Sequence, residues 1–303
     1  MKKANLIKAK AIELGFELVG IVPAQPVPDF YFFRWWLGQG YAATMNYLQR
    51  GEAKRGDPEK ILPGVKSLIC CGLNYYTGAS STPIASYVQG EDYHEVVGQR
   101  LKALESFIRS EVDPSAATKS YVDTGPVLER SYAAQAGLGW IGKNTCLINN
   151  GLGSYVFLGE VLTTLALEDS EYDRPALDQC GTCSQCLDAC PTGAFVEPYV
   201  MDANRCISYL TIERRGEFSE EQSRMTGDHV YGCDICQEVC PYNDRIPMSP
   251  VAEFQSRPEW KDLKRKDLNQ MTEEEFLKLT KDSAMDRIKF SQWRRNLKVP
   301  QKL

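Results

Sequence analysis

The stretch CGTCSQCLDACP, residues 180–191, carries four cysteines at the spacing C-x2-C-x2-C-x3-C-P. A second set follows, in which Cys206 precedes the stretch CDICQEVCP, residues 233–241. The first spacing is the run with which bacterial ferredoxins ligate [4Fe–4S] clusters. In two-cluster ferredoxins the three closely spaced cysteines bind one cluster, and the fourth binds its neighbour. The doubled motif therefore predicts a ferredoxin-like module with two clusters, which form a short path for electrons.

This crossed pattern divides the eight cysteines into two sets of four. The first set is Cys180, Cys183, Cys186 and Cys240, and the second is Cys190, Cys206, Cys233 and Cys236. The alternative is a pair of structural zinc sites, because C-x2-C pairs also bind zinc. Zinc ribbons use two such pairs rather than the longer runs found here, so the spacing favours clusters. Three cysteines remain, of which Cys70 and Cys71 lie in a segment typical of a buried strand and Cys146 stands alone.

Composition and charge set the class of protein. The chain has 303 residues, of which 43% are hydrophobic and 25% charged, which is ordinary for a globular protein of two or three structural units. Its 11 cysteines are an odd number, which argues against a disulfide framework. The longest apolar stretch, residues 154–167, is interrupted by Glu160, and no secretory or twin-arginine signal opens the chain. These features predict a cytoplasmic protein with no membrane partner.

The segments before the cysteines predict an α/β domain over residues 1–167. Helical spacing of apolar residues alternates there with short strand-like runs. We expect helices at 4–14, 94–109 and 128–137, and strands at 16–22, 67–73, 119–123, 146–148 and 154–162. The aromatic run at 30–36 (FYFFRWW) favours a helix that packs its rings into the core, with base stacking as the alternative.

Two further units follow along the chain. After an acidic linker, the cluster module occupies residues 168–250. Residues 251–303 form a helix-prone tail with 13 Lys and Arg against 9 Asp and Glu, whereas the whole chain carries a net charge of −5. A basic tail on an acidic body can bind phosphate, although such stretches are more often solvated surface.

Four further motifs carry a resemblance to a known family. They are Lys54-Arg55-x-Asp57-Pro58, Tyr87-x-x-Gly90-x-Asp92-Tyr93-His94, DTGPVLER at residues 123–130, and AGLGWIGKNT at residues 136–145. Together they resemble the epoxyqueuosine reductases, cobalamin-dependent enzymes that complete the tRNA wobble base queuosine, from about residue 4 to 250. The glycines at 137, 139 and 142 mimic a dinucleotide-binding loop, but they precede a strand rather than open a helix, so we reject a nicotinamide site. The chain resembles a short form, without the C-terminal helical-repeat extension that many members use to hold tRNA.

The resemblance implies a corrinoid in the α/β domain, with substrate on one side and the clusters on the other. The reaction implied is the two-electron reduction of an epoxide to an alkene, with the oxygen lost as water. Asp123 matches the position of the proton donor, which requires a pKa raised by burial beside the corrin, and His94 is a second polar candidate. The structural alternatives are a helix cap for Asp123 and a helix-start residue for His94. The cofactor contacts implied are Arg55, Ser86, Tyr87, Asp123, Lys143, Asn144, Thr145 and Ser208.

The partners implied are tRNA carrying epoxyqueuosine and an external electron donor such as a ferredoxin or flavodoxin, with the chain acting as a monomer. Two other functions remain open at this point. One is a corrinoid reductase of a small molecule, similar to reductive dehalogenases, and the other is a ferredoxin-type module that only transfers electrons.

Overall fold

The computed structural model describes residues 2–78, 83–260 and 264–298. Its helices are α1 (Lys3–Glu13), α2 (Asp29–Gly38), α3 (Asn46–Arg50), α4 (Glu52–Arg55), α5 (Tyr93–Phe107), α6 (Glu129–Gln135), α7 (Gln185–Asp188), α8 (Glu220–Thr226), α9 (Ile235–Glu238), α10 (Arg265–Gln270), α11 (Glu273–Thr280) and α12 (Phe290–Leu297). Its strands are β1 (Leu18–Pro23), β2 (Ser67–Asn74), β3 (Thr118–Tyr121), β4 (Trp140–Ile141), β5 (Leu147–Ile148), β6 (Val156–Thr163), β7 (Phe195–Glu197) and β8 (Val200–Met201).

A four-stranded sheet in the order β1-β2-β6-β3 forms the centre of the first domain. All three pairings are antiparallel, so the predicted mixture of helices and strands takes the α+β form. Helices α1 and α5 cover one face, and α6 covers the other. Every residue of β2 is buried, which explains why its sequence is an uncharged run rather than an alternating one.

The predicted segments agree with the observed elements except at the strand around residue 147. Helix α1 is followed by Gly15, whose φ of +92° lies in the left-handed region that glycine favours. The predicted strand at 146–148 contributes only the two residues of β5. It pairs with β4 in a separate hairpin and not with the central sheet. None of the helices in the described ranges is long and apolar enough to cross a membrane.

The aromatic run forms helix α2, but its rings do not enter the core. None of its residues is buried, and the side chains of Tyr31, Phe32 and Trp35 are 77%, 43% and 43% exposed. Trp36 contacts the cysteine module, and its Nε1 donates to the carbonyl oxygen of Met201 at 2.6 Å. The prediction that these rings pack into the core is therefore wrong, since Phe30, Phe33 and Trp36 are only partly buried and the other rings are exposed.

The C-terminal segment is an integral part of the fold. Its helices enclose a core around Trp293 and Phe276, which also takes in Tyr231 from the cysteine module. Arg295 is only 3% exposed and donates to the carbonyl oxygens of Arg214 and Gly216 at 2.7 and 2.8 Å. The prediction of a basic surface tail is thus wrong for Arg295, since its charge binds backbone carbonyls inside the protein.

Candidate functional site

A cavity of about 220 Å³ lies where the cysteine module meets the first domain. Its lining contains four cysteines, which are Cys180, Cys183, Cys186 and Cys240. Three come from the first cysteine run, and the fourth comes from the second run. The chain folds this way because the short helices α7 and α9, which contain Cys186 and Cys236, pack against each other. Four thiols around one cavity are the donor set of a [4Fe–4S] cluster.

The other four cysteines form a second group. Cys206 and Cys190 lie close enough to Cys233 to raise the pKa of its thiol, after the larger effect of burial. The hydrogen bond with Cys146 and burial raise the pKa of Cys236 most, and Cys233 and Cys206 add to the rise. Cys146 lies beside Cys236 and outside both groups of four. Cys180, Cys183, Cys186 and Cys240 thus line one cavity, while the assignment of all eight cysteines to two clusters stays a prediction.

Two residues of the 136–145 motif connect the first domain to the cysteine loops. Nζ of Lys143 donates to the carbonyl oxygens of Gly181 and Cys183 at 2.6 and 2.8 Å. Nδ2 of the buried Asn144 donates to the carbonyl oxygen of Cys236 at 3.2 Å. Both side chains therefore hold cluster loops against the first domain.

Asp123 lies on the loop between β3 and α6, with its side chain half-exposed. Its φ of +56° places it in the left-handed region, which is uncommon for a residue other than glycine. The hydroxyl of Tyr93 donates to its Oδ2 at 3.0 Å, and Nε2 of His94 lies 3.5 Å from the same oxygen. The loop thus presents the carboxylate to the first turn of α5.

The first turn of α5 orients His94. Asp92 caps the helix, and its Oδ1 accepts from the backbone N–H of His94 at 2.9 Å and lies 2.7 Å from Nδ1. The ring of Tyr93 stacks on His94 at 4.1 Å and on Phe157 at 4.3 Å. Nε2 of His94 is buried and has no hydrogen-bond partner in the described chain. A reacting polar group beside Asp123 would satisfy that nitrogen.

The pKa values of His94 and Asp123 are set by their contact with each other and with Asp92 and Tyr93. Burial lowers the pKa of His94, but the Asp123 and Asp92 carboxylates outweigh it and raise the pKa to about 9. The adjacent His94 lowers the pKa of Asp123, burial opposes this, and Tyr93 lowers it further. The donors beside Asp123 stabilise its carboxylate within the protein chain, and a raised pKa beside a bound corrin stays a prediction. At neutral pH the proton of the pair lies on His94.

The other predicted cofactor contacts fall into two places. Arg55 is buried and interacts with the charge of Asp123, and the ring of Tyr87 lies 6.2 Å from that of Tyr93. Around the second cysteine group, Ser86 donates through its N–H and Oγ to Asp234 at 2.7 and 2.8 Å, and Ser208 hydrogen-bonds Cys206.

Thr145 lies at φ +64°, and both its carbonyl oxygen and its Oγ1 accept from Arg130. It is therefore held by a side chain of the DTGPVLER motif.

Sequence reasoning missed several neighbours of Asp123. Tyr93 stands inside a motif from which we predicted roles only for Tyr87 and His94. Arg287 comes from the C-terminal segment, bonds Glu213 at 2.5 Å and interacts with the charge of Asp123. No local pattern in the sequence marks Arg287. Glu160 stands out in the sequence as the single charge in an apolar run, but its role depends on which side chain it faces in the fold.

Comparison with known proteins agrees with this geometry. Residues 179–243 match a family described as "4Fe-4S double cluster binding domain", and residues 55–124 match "Epoxyqueuosine reductase QueG, DUF1730". The epoxyqueuosine reductase of Gloeobacter violaceus is 43% identical, over 97% of this chain and 94% of that protein.

Two solved structures are similar over 97% of this chain and 79% of their own. One is an epoxyqueuosine reductase with an epoxyqueuosine-modified tRNA-Tyr stem loop, at a TM-score of 0.86 and 31% identity. The other is the Bacillus subtilis epoxyqueuosine reductase with its catalytic aspartate loop swung out of the active site, at a TM-score of 0.85 and 30% identity.

Proposed function

The chain belongs to the epoxyqueuosine reductase family, and we propose that its His94–Asp123 pair supplies the proton to the epoxide oxygen. The enzyme reduces epoxyqueuosine to queuosine in tRNA. The observation that carries the proposal is the buried Nε2 of His94, which has no hydrogen-bond partner in the described residues and faces Asp123 at 3.5 Å.

The cofactors are two [4Fe–4S] clusters and cobalamin. The donor sets fit the clusters, because two groups of four cysteines lie at the boundary between the domains. For cobalamin, the fit rests on two neighbouring residues: Ser86, whose N–H and Oγ donate to Asp234 beside Cys233, and Tyr87, whose ring lies 6.2 Å from that of Tyr93. When bound, it supplies a strongly reducing centre for the carbon of the substrate. Its proposed contacts are Arg55, Ser86, Tyr87, Asp123, Lys143, Asn144, Thr145 and Ser208.

The role of the protein residues follows from the balance of the reaction. Conversion of an epoxide to an alkene and water consumes two electrons and two protons. The first proton is needed at the oxygen as its bond to carbon breaks, since an alkoxide is a poor leaving group in water-poor surroundings. His94 holds a proton at Nε2 on the side that faces Asp123, and Asp123 keeps the imidazolium oriented and charged. Tyr93 fixes the carboxylate through its hydroxyl.

The exposed rings of α2 are proposed to contact the tRNA. Tyr47 on α3 is half-exposed and interacts electrostatically with Asp123 and Arg287, so this part of the surface borders the proposed site. Arg34 and Glu52 join α2 to α4 through an ion pair of 2.9 Å. Unpaired bases of an anticodon loop stack on exposed aromatic rings, which gives Phe32 and Trp35 a partner of matching chemistry.

The remaining assignments follow from the family. We place the enzyme in the cytoplasm, where its tRNA substrate is found, and assign it an external electron donor of the ferredoxin or flavodoxin type. It is assigned as a monomer.

The experiment is turnover of a tRNA stem loop that carries epoxyqueuosine, using anaerobic protein with both clusters and cobalamin. His94→Gln keeps a hydrogen-bonding side chain but cannot hold the extra proton, so we expect turnover to fall by about two to four orders of magnitude. The control is His229→Gln, at a position outside the proposed site. If the wild-type protein is active and His94→Gln turns over at the same rate, the assignment of the His94–Asp123 pair as proton donor is refuted. The reduction of epoxyqueuosine itself would not be called into question.

A further inference from the structure

Glu160 is a carboxyl group inside the central sheet. It lies on β6, opposite Cys70 on β2 and Tyr121 on β3, and its side chain is fully buried. Neither of its oxygens meets a hydrogen-bond donor within the described chain. An ionised carboxylate in such a place is strongly disfavoured, so burial raises the pKa of Glu160 far above its usual range.

Glu129 faces Glu160 from the first turn of α6. The two carboxyl groups are within hydrogen-bonding reach of each other. The charge of Glu129 and this contact add to the effect of burial on the pKa of Glu160. Burial and the charge of Asp123 raise the pKa of Glu129, whereas the hydrogen bond with Glu160 lowers it. Because each carboxylate only accepts hydrogen bonds, the contact is satisfied only when a proton lies between them. Glu160, as the more buried of the two, holds that proton and donates it toward Glu129.

The carboxyl group of Glu129 also forms a hydrogen bond with the backbone of Asp123. Oε1 of Glu129 accepts from the N–H of Asp123 at 2.7 Å. Asp123 has a left-handed φ of +56°, which disfavours the loop conformation intrinsically, and a hydrogen bond to a charged acceptor offsets this. The side chain of Asp123 is meanwhile held by Tyr93 and His94.

We infer that Glu129 and Glu160 share one proton, and that the charge left on Glu129 holds the Asp123 loop in the site. Glu129 is then a positioning residue, and Glu160 keeps it ionised and oriented. The inference rests on the proposed function of Asp123 and deepens it, since it names what keeps that residue in place. The B. subtilis structure, with its catalytic aspartate loop swung out, shows that such a loop has a second position in a relative.

The hydrogen bond between Glu129 and the Asp123 N–H is expected to depend on pH. Burial and the charge of Asp123 raise the pKa of Glu129 to about 7. As the pH falls below that value, Glu129 takes up its own proton, becomes a weaker acceptor and releases the Asp123 N–H. The titratable or charged groups that face the pair are Asp123, Arg130, Arg55, Cys70, Cys71 and Tyr93.

Hydrogen exchange of the backbone amides in residues 121–128 of the holoenzyme, followed by mass spectrometry, tests whether Glu129 holds the Asp123 loop. The measurement needs no substrate. Glu129→Gln keeps the shape but removes the charge, and we expect faster exchange in this segment. Protection of β6 is expected to stay unchanged, which shows that the sheet is intact. We expect kcat to fall on the order of 10- to 100-fold, as for a displaced catalytic group, with KM unchanged.

Glu160→Gln is the matched variant, because its amide is a permanent donor toward Glu129. We expect it to keep the protection of residues 121–128 and to move the loss of protection to lower pH, after correction for intrinsic exchange. Wild-type exchange in Glu129→Gln, with β6 still protected, would overturn the inference. Because exchange is measured without turnover, that result is distinguishable from a failure of the proposed reaction.

Discussion

Nε2 of His94 lies 3.5 Å from Oδ2 of Asp123, while Nδ1 of the same ring lies 2.7 Å from Oδ1 of Asp92. An imidazole between two carboxylates keeps its proton to higher pH than a free one, and here its pKa rises to about 9 although burial opposes this. In the proposed mechanism, the carboxylate of Asp123 sets the charge and the imidazolium of His94 holds the proton. This arrangement makes the pH dependence of turnover diagnostic.

Wild-type turnover is expected to decline as the pH rises through about 9, where His94 loses its proton. Asp123→Asn removes one of the two negative charges that hold that proton, so the pKa of His94 falls and the alkaline limb moves to lower pH. The rate at the optimum is expected to fall by about two to four orders of magnitude. The measurement is the pH–rate profile under single-turnover conditions with a tRNA stem loop.

Asp113→Asn is the control for that substitution, since Asp113 forms an ion pair with Lys3 and lies outside the site. It is expected to leave the profile unchanged. An Asp123→Asn enzyme with a near wild-type rate and profile would mean that Asp123 is structural and that His94 does not depend on it to hold the proton.

Replacement of Cys240 tests the crossed division of the cysteines. Cys240→Ala removes a thiol from the cavity lined by Cys180, Cys183 and Cys186, so the cluster of the first run is expected to be damaged. Anaerobic wild-type protein is expected to contain about eight iron and eight sulfide per chain, and the variant less of both. Electron paramagnetic resonance that shows damage only to the other cluster would contradict the division.

Cys146→Ala is the matched control, because this cysteine lies beside Cys236 but in neither group of four. We expect its iron content to equal that of the wild type. Zinc in place of iron in the wild-type protein would contradict the assignment of both sets of four cysteines to [4Fe–4S] clusters.

The sequence could predict those features that depend on local pattern. The uncharged run of β2 fits only a buried strand, and the cysteine spacing determines which thiols can converge. Helix α5 was predictable because Val97, Leu101 and Leu104, which are fully buried in the structure, fall on one face of a helix.

The features that the sequence did not supply have a common physical cause. The burial or the pKa of each side chain depends on which residues lie opposite it in the fold. The aromatic run predicts that the rings of α2 are buried, but Phe32 and Trp35 are each 43% exposed. The pKa of Asp123 depends on His94 and Tyr93, which are distant in sequence and whose donors were not part of the prediction. Arg295 reads as surface charge until its carbonyl partners are known.

Arg295 is expected to contribute to the stability of the fold rather than to tRNA binding. Its guanidinium donates to three backbone carbonyls and lies 4.0 Å over the ring of Phe218. Arg295→Ala leaves these buried acceptors without donors, so the free energy of unfolding is expected to fall by about 2–4 kcal/mol. Chemical denaturation of the cluster-loaded protein measures this.

The neighbouring Arg294 is the control for this prediction, because it is exposed and donates to a single backbone carbonyl within the described chain, that of Asn269. Arg294→Ala is expected to change the free energy of unfolding by less than about 0.5 kcal/mol. Equal losses from both substitutions would contradict a structural role specific to Arg295.

The exposed rings of α2 give the last prediction, which concerns the affinity for tRNA. Trp35→Ala is expected to weaken binding of the stem loop by about 1–3 kcal/mol if a base stacks on the indole, which is roughly 5- to 150-fold in Kd. The fold is expected to be unaffected, because Trp35 is 43% exposed and α2 buries none of its residues. Ile12→Ala on α1 is the control, since Ile12 is 53% exposed, apolar and on a different helix. Affinity for both proteins is expected to fall as salt rises, because counterions are released from the tRNA phosphates, but the ratio between them stays constant, since stacking carries no net charge. A Trp35→Ala enzyme with wild-type affinity at every salt concentration would show that the tRNA does not use this surface.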